Sequence, residues 1–205
     1  MRILLTAFEP YDQWEQNSSW EVLVEYLRVR GTIPDIVTRR YPVDLQQLQT
    51  RLEDDLKRGF DVVLHLGQSP GISQIHLETI AINVAGMTHV TGNAFGELLT
   101  NAPVAYRSNL PVGQWAAELR RLGIPTSVSY HAGTYLCNAV MYLSLHWFES
   151  NKKDGRVGFI HLPLTHEQVL NSGRTMPSLS KQDMSRAIQF ILDGLLGRQQ
   201  QFDFA

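Results

Sequence analysis

Two kinds of apolar run alternate along the 205-residue chain. Short unbroken runs read as buried strands, at residues 2–8, 36–41, 61–66, 125–130 and 156–162. Between them, apolar residues recur every three or four positions, the signature of amphipathic helices. The first helix is entered at Ser18-Ser19-Trp20-Glu21, which has capping-box spacing, and turns Trp20, Leu23, Val24 and Leu27 inward until Gly31. Asp44 caps the second, with Leu45, Leu48, Leu52 and Leu56 inward and a stop at Gly59. A third spans 112–122 and closes at Gly123. The last opens at Ser180-Lys181-Gln182-Asp183 and buries Ala187, Ile188, Ile191, Leu192 and Leu195.

Other stretches are less regular. Residues 72–84 alternate imperfectly and predict one further strand, firmest at Thr79-Ile80-Ala81-Ile82-Asn83. Residues 86–110 scatter Gly, Asn, Thr and Pro. So long a loop in a compact domain is functional, covers an interface or hides short strands. Beyond Pro163 a mobile segment is expected as far as Pro177, and the polar tail from Arg198 is expected to fray.

Continuous apolar strands alternating with helices imply an α/β fold, a mostly parallel sheet covered on both faces. No repeat or linker interrupts it, so one domain over 1–205 is expected. Ligands of such sheets bind beyond strand C-terminal ends. Residues 8–14, 67–71 and 131–137 lie at such ends, and His161 closes the 156–162 strand.

Hydrophobic residues make up 43% of the chain and charged residues 19%, enough for a sizeable core. With a net charge of −2 and no basic run, nothing argues for nucleic acid or an anionic membrane. No apolar stretch approaches a membrane span. The apolar run at the N-terminus is too short for a signal peptide, and Glu9 follows it. A single cysteine excludes an intramolecular disulfide framework. A cytoplasmic protein is expected.

That cysteine, Cys137, lies in Ser127-Val-Ser-Tyr-His-Ala-Gly-Thr-Tyr-Leu-Cys-Asn138, between a strand and an apolar helix running from Ala139 through Phe148. Gly133-Thr134 breaks the strand, and Thr134 is the expected N-cap. Cys137 then falls in the first turn, where outward backbone N–H groups favour the thiolate and can hold an oxyanion. By itself a lone cysteine is more often a small buried hydrophobe. A base and an orienting acid change the balance. His161 sits at the last turn of a buried strand, and Glu78 directly precedes Thr-Ile-Ala-Ile-Asn83, an uncommon place for a carboxylate. Nucleophile, base and orienting acid make a triad. His65, His76, His89, His131, His146 and His166 compete as the base, and spacing cannot choose among them. Metal is the weaker reading: there is no second cysteine and no His-Glu-x-x-His. Gly67-x-x-x-Gly71 lacks the Gly-Lys-Ser/Thr of a phosphate loop and reads as a substrate-binding turn. No metal or other cofactor is expected.

Phe8-Glu9-Pro10-Tyr11, Asn17-Ser18-Ser19-Trp20, Gly67-Gln68, Glu78-Thr-Ile-Ala-Ile-Asn83, Ala132-Gly-Thr-Tyr-Leu-Cys137-Asn138 and Phe159-Ile-His161-Leu-Pro163 together resemble the pyroglutamyl peptidase I family of cysteine peptidases. The resemblance covers almost the whole chain. It implies a single α/β/α sandwich, commonly a homotetramer, that releases pyroglutamate from the N-terminus of blocked peptides. The family triad falls on Glu78, Cys137 and His161. Its two ring-binding phenylalanines fall on Phe8 and Tyr11, and its backbone contact to the lactam on Gln68. The family's Gly-Gly is Asp12-Gln13 here, its Asn-Pro-Ser is Asn17-Ser18-Ser19, and its Gly-Gly-Arg is Pro70-Gly71-Ile72. A second family arginine is missing near Thr88, and residues 86–110 match poorly. Two rivals remain at this point: a nucleoside phosphorylase on a similar sandwich, and a non-catalytic binder of blocked N-termini.

Overall fold

A computed structural model describes residues 1–86 and 95–198. In chain order the elements are β1 (Ile3–Phe8), α1 (Ser18–Arg30), β2 (Ile36–Tyr41), α2 (Leu45–Leu56), β3 (Val62–Gln68), β4 (Ile75–Glu78) and β5 (Ile80–Ile82). There follow β6 (Ala85–Gly86), β7 (Phe95–Gly96), β8 (Ala105–Arg107), α3 (Val112–Arg121), β9 (Thr126–Ser129) and α4 (Leu136–Ser150). The last are β10 (Arg156–Leu162), β11 (Leu164–Thr165), α5 (His166–Ser172), β12 (Ser178–Leu179) and α6 (Lys181–Leu195).

A six-stranded sheet in the order β2-β1-β3-β10-β4-β9 forms the centre. β2, β1, β3 and β10 are mutually parallel, whereas β4 pairs antiparallel with β10 and parallel with β9. The sheet is therefore mostly parallel, with β4 and β9 reversed at one edge.

Strand alternation assigns each side chain to a layer. Ile3, Leu5, Leu64, Leu66, Ile160 and Leu162 point into the core shared with α1, α3 and α6. Leu4, Phe8, Val63, Val157 and Phe159 point into the core shared with α2 and α4. The result is an α/β/α sandwich, as expected. By the same parity His65, Gly67, His161 and Glu78 belong to the second face.

Several local readings need correction. Asn17, not Ser18, caps α1: its side chain accepts from Ser19 N. That helix buries Val22, Leu23 and Tyr26, while Val24 is 44% exposed. Trp20 is half-buried, with the Arg40 guanidinium over its ring. Thr134 does not cap α4. Its carbonyl instead accepts from Gly86 N at 2.6 Å, and the N-cap is Tyr135. The stretch 72–84 is two strands, because the chain leaves the central sheet at Thr79, whose carbonyl accepts from Ser108 N. Its supposedly firmest part, β5, pairs with β8 outside the main sheet. The segment after Pro163 carries β11, α5 and β12, with a complete capping box between Thr165 and Gln168. The caps at Asp44 and Ser180 are as read. Residues 86–110 do hide short strands, β6, β7 and β8, although 87–94 lie outside the described residues. So do His89, the arginine comparison near Thr88 and the tail beyond Arg198.

Candidate active site

Cys137 is the second residue of α4 and partly buried. The first bond within this helix runs from Ala139 N–H to Tyr135 O at 2.9 Å. The amides of Leu136, Cys137 and Asn138 thus precede the helix's own hydrogen-bond ladder, and they form the positive end of its dipole. Two tethers hold this turn over the sheet. The buried Asn138 side chain accepts from Ile82 N at 2.8 Å and donates to Ile82 O and Val84 O at 2.9 and 3.0 Å. Two turns further on, Ser144 Oγ meets His65 Nε2 at 2.9 Å, and His65 Nδ1 meets Thr6 Oγ1 at 2.7 Å. Full burial drives the His65 pKa down to about 3, so this ring is neutral and serves the core. Gly67 lets the sulfur approach the sheet. A Cβ there would overlap the Phe159 ring and stand 3.0 Å from Cys137 Sγ.

Antiparallel pairing aligns the other two candidates. Glu78 lies opposite Phe159 and His76 opposite His161, so Glu78 and His161 are diagonal neighbours on one face. His161 Nδ1 and Glu78 Oε1 are 2.7 Å apart. Glu78 is 1% exposed, and its Oε2 is buried without a hydrogen bond. The Phe159 ring supports the imidazole, with centroids 4.7 Å apart.

The electrostatics are mutual. Burial alone would drive the His161 pKa down, but attraction to and hydrogen bonding with Cys137, then with Glu78, outweigh it and hold the pKa up at about 9. Burial likewise raises the Glu78 pKa, yet the His161 hydrogen bond and charge overcome it, and the pKa is lowered. At neutral pH the imidazolium therefore lies between the Cys137 sulfur and the Glu78 carboxylate.

These groups open into a pocket of about 490 Å³. Phe8, Tyr11, Gln68, Glu78, Cys137 and His161 all line it, so every candidate named from the sequence meets at one place. Among the described residues the lining contains no Lys or Arg, and its one carboxylate is the Glu78 already paired with His161. Ile72 lines it where the family pattern has arginine. Of the competing histidines, His131 and His76 also line it, but neither makes the carboxylate bond. His146 bonds Tyr106 and Ser150, and His166 bonds Ser178.

The departures from the family pattern have local explanations. Asp12 adopts φ 54°, a left-handed conformation that glycine enters freely and Asp tolerates. Ser18 stands at the first helical position, where the pattern has proline. Its N–H, which proline lacks, donates to Gln68 Oε1 at 2.7 Å, and Gln168 Nε2 donates to the same oxygen at 2.7 Å. Sequence reasoning missed these supporting groups: Asn138, Ser18 and Gln168. The signal for Gln168 was its spacing from Thr165, that of a capping box.

The family model described as pyroglutamyl peptidase matches residues 1–196. The chain belongs to the pyroglutamyl peptidase family. A pyrrolidone-carboxylate peptidase of Brachyspira hyodysenteriae is 34% identical over 94% of this chain and 97% of that protein. One from Erwinia tasmaniensis is 37% identical over 83% of this chain and 81% of its own length. Among solved structures, the pyrrolidone carboxyl peptidase of Fervidobacterium islandicum AW-1 superposes with TM-score 0.87 at 32% identity, covering 96% of this chain and 99% of that one. The Thermococcus litoralis enzyme gives 0.84 at 30% identity, covering 100% and 99%. Neither the phosphorylase reading nor the non-catalytic one draws support from these likenesses.

Proposed function

We propose that this chain is a cysteine exopeptidase that removes N-terminal pyroglutamate from peptides, with Cys137 as nucleophile, His161 as acid and base, and Glu78 as the orienting carboxylate. The observation that carries this reading is the 2.7 Å bond from His161 to a buried Glu78, beside the sulfur at the head of α4. The thiolate attacks the pyroglutamyl carbonyl carbon, and the amides of the first turn of α4 receive the oxyanion. As the C–N bond breaks, the imidazolium gives its proton to the leaving amine, and a thioester remains on Cys137. Water then attacks the thioester, with His161 as base. Pyroglutamic acid leaves and the thiolate–imidazolium pair returns.

The pocket supports a neutral ring. An ordinary N-terminus would bring an ammonium among Phe8 and Tyr11, with no free carboxylate in the described lining. Burying it unpaired costs several kcal/mol. We also propose, from the family likeness, a single cytoplasmic domain assembling as a homo-oligomer, a tetramer as is common in the family. Among the described residues no helix is long and apolar enough to cross a membrane. The test is hydrolysis of pyroglutamyl-4-nitroanilide. Wild type should release nitroaniline, and Cys137→Ala or iodoacetamide should abolish it while chelators do not. Full activity in Cys137→Ala, or an inactive wild type, overturns the proposal.

A further inference from the structure

We propose that the Tyr11 hydroxyl is a specificity-determining donor, which together with the Gln68 carbonyl clasps the cis-amide edge of the pyroglutamyl ring. The inference rests on the reading of the pocket given above and adds a contact that the family's phenylalanine cannot make.

In the unliganded pocket Tyr11 Oη donates to Gln68 O at 3.3 Å. A good O–H···O bond is about 2.7–2.8 Å long, so the two groups hold each other weakly. Both line the pocket. They therefore present an acceptor and a donor side by side, facing the same space.

A lactam offers the complementary edge. Its ring forces the amide to be cis, so N–H and C=O point to the same side. Standard amide bond lengths put that nitrogen and oxygen about 2.2 Å apart. Two protein oxygens 3.3 Å apart suit such an edge with a slight outward splay. The lactam N–H donates to Gln68 O, and the lactam carbonyl accepts from Tyr11. An ordinary trans peptide cannot satisfy both, because its N–H and C=O point in opposite directions.

Ser69, His76, Ser129, His131 and Thr134 also line the pocket, but Tyr11 is the side chain hydrogen-bonded to the Gln68 carbonyl that would take the lactam N–H. The described lining holds no Lys or Arg, and Asn17 already gives one amide hydrogen to Glu9 O at 3.0 Å. The hydroxyl also remains a donor: burial, reinforced by the Cys137 charge, pushes its pKa up.

The test uses Tyr11→Phe, which keeps the ring and removes only the oxygen. Two competitive inhibitors serve as probes: 2-pyrrolidone, and its thione, which keeps the N–H but has a much poorer acceptor. A net neutral hydrogen bond is worth about 1 kcal/mol, so Ki for 2-pyrrolidone should rise about fivefold in the variant. Ki for the thione should stay nearly unchanged. Equal weakening of both probes would assign the effect to ring packing, and no weakening of either would leave the hydroxyl idle; each overturns the inference. Wild-type hydrolysis of the anilide separates the two levels. If it proceeds while the probes fail to discriminate, only the clasp is wrong. If the wild type hydrolyses nothing, the catalytic reading itself has failed.

Discussion

Replacing Glu78 by Gln removes a charge while keeping the shape and an oxygen that can accept from His161. In the wild type the carboxylate contacts the imidazole at 2.7 Å, which puts the charge centres roughly 4 Å apart. At an effective dielectric constant near 20, that attraction is about 4 kcal/mol. Expressed wholly in the transition state, it would be worth roughly three orders of magnitude in rate. This is an upper bound, because Cys137 also helps to keep His161 protonated and remains in the variant. The expected loss in kcat is therefore about 10²- to 10³-fold. Stability should change far less. Burying Glu78 already carries a desolvation cost, one of its oxygens lacks a hydrogen bond, and His161 keeps Cys137 as a hydrogen-bond partner. A change within about 2 kcal/mol is expected. Turnover of pyroglutamyl-4-nitroanilide, guanidinium unfolding and the pH profile of iodoacetamide alkylation measure the three quantities. Turnover within about threefold of wild type would refute the assignment of Glu78. An unfolded variant would make the residue a structural ion-pair partner instead.

Because the His161 pKa is raised to about 9 from 6.5, the imidazolium is complete below 6.5 and is lost as pH rises through about 9; kcat/KM should fall on that alkaline limb, and a profile still rising above it would contradict the ion pair. Gly67→Ala would force a methyl against Phe159 and Cys137 Sγ, so a stability loss of about 1–3 kcal/mol should accompany a fall in kcat, read by melting and by turnover. Ser18→Pro would remove the donor to Gln68 Oε1 but supply a residue suited to the first helical turn. The two effects oppose each other, so unfolding free energy should stay within about 1 kcal/mol of wild type while KM rises, because Gln68 loses one of its two restraints.

The sandwich was legible because its strands are apolar on both faces and its helices are amphipathic, and both periodicities survive in the local sequence. β10 was read to the residue, and Cys137 was placed in a first helical turn correctly. What failed was set by distant partners. Thr134 is a good cap residue locally, but its carbonyl is taken by Gly86. Glu78-Thr-Ile-Ala-Ile-Asn83 looks like one strand, yet Thr79 marks the point where the chain leaves one sheet for another. Spacing alone could not single out His161, which only the family resemblance indicated; the antiparallel register of β4 on β10, which no spacing encodes, sets it diagonal to Glu78. Of the α1 residues read as inward, Val24 is the one that fails: Leu23 is buried and Trp20 and Leu27 pack against the core, whereas Val24 is 44% exposed on the row that borders solvent, where an arginine covers the Trp20 ring.

The strand order has a consequence for assembly in time. β3 and β4 are consecutive in the main sheet's sequence, but β10 lies between them in space. A nascent chain that has not yet exposed residues 156–162 cannot set β4 at its native distance from β3, nor bring Glu78 to its imidazole. Such non-local insertion is entropically slow, because the intervening chain must be ordered before the pairing repays it. Chemical competence should therefore appear as one of the last events of refolding, later than helix formation in α1 and α2. Until then the open flanks of β3 and β4 are unpaired edges, on which chains can associate with one another.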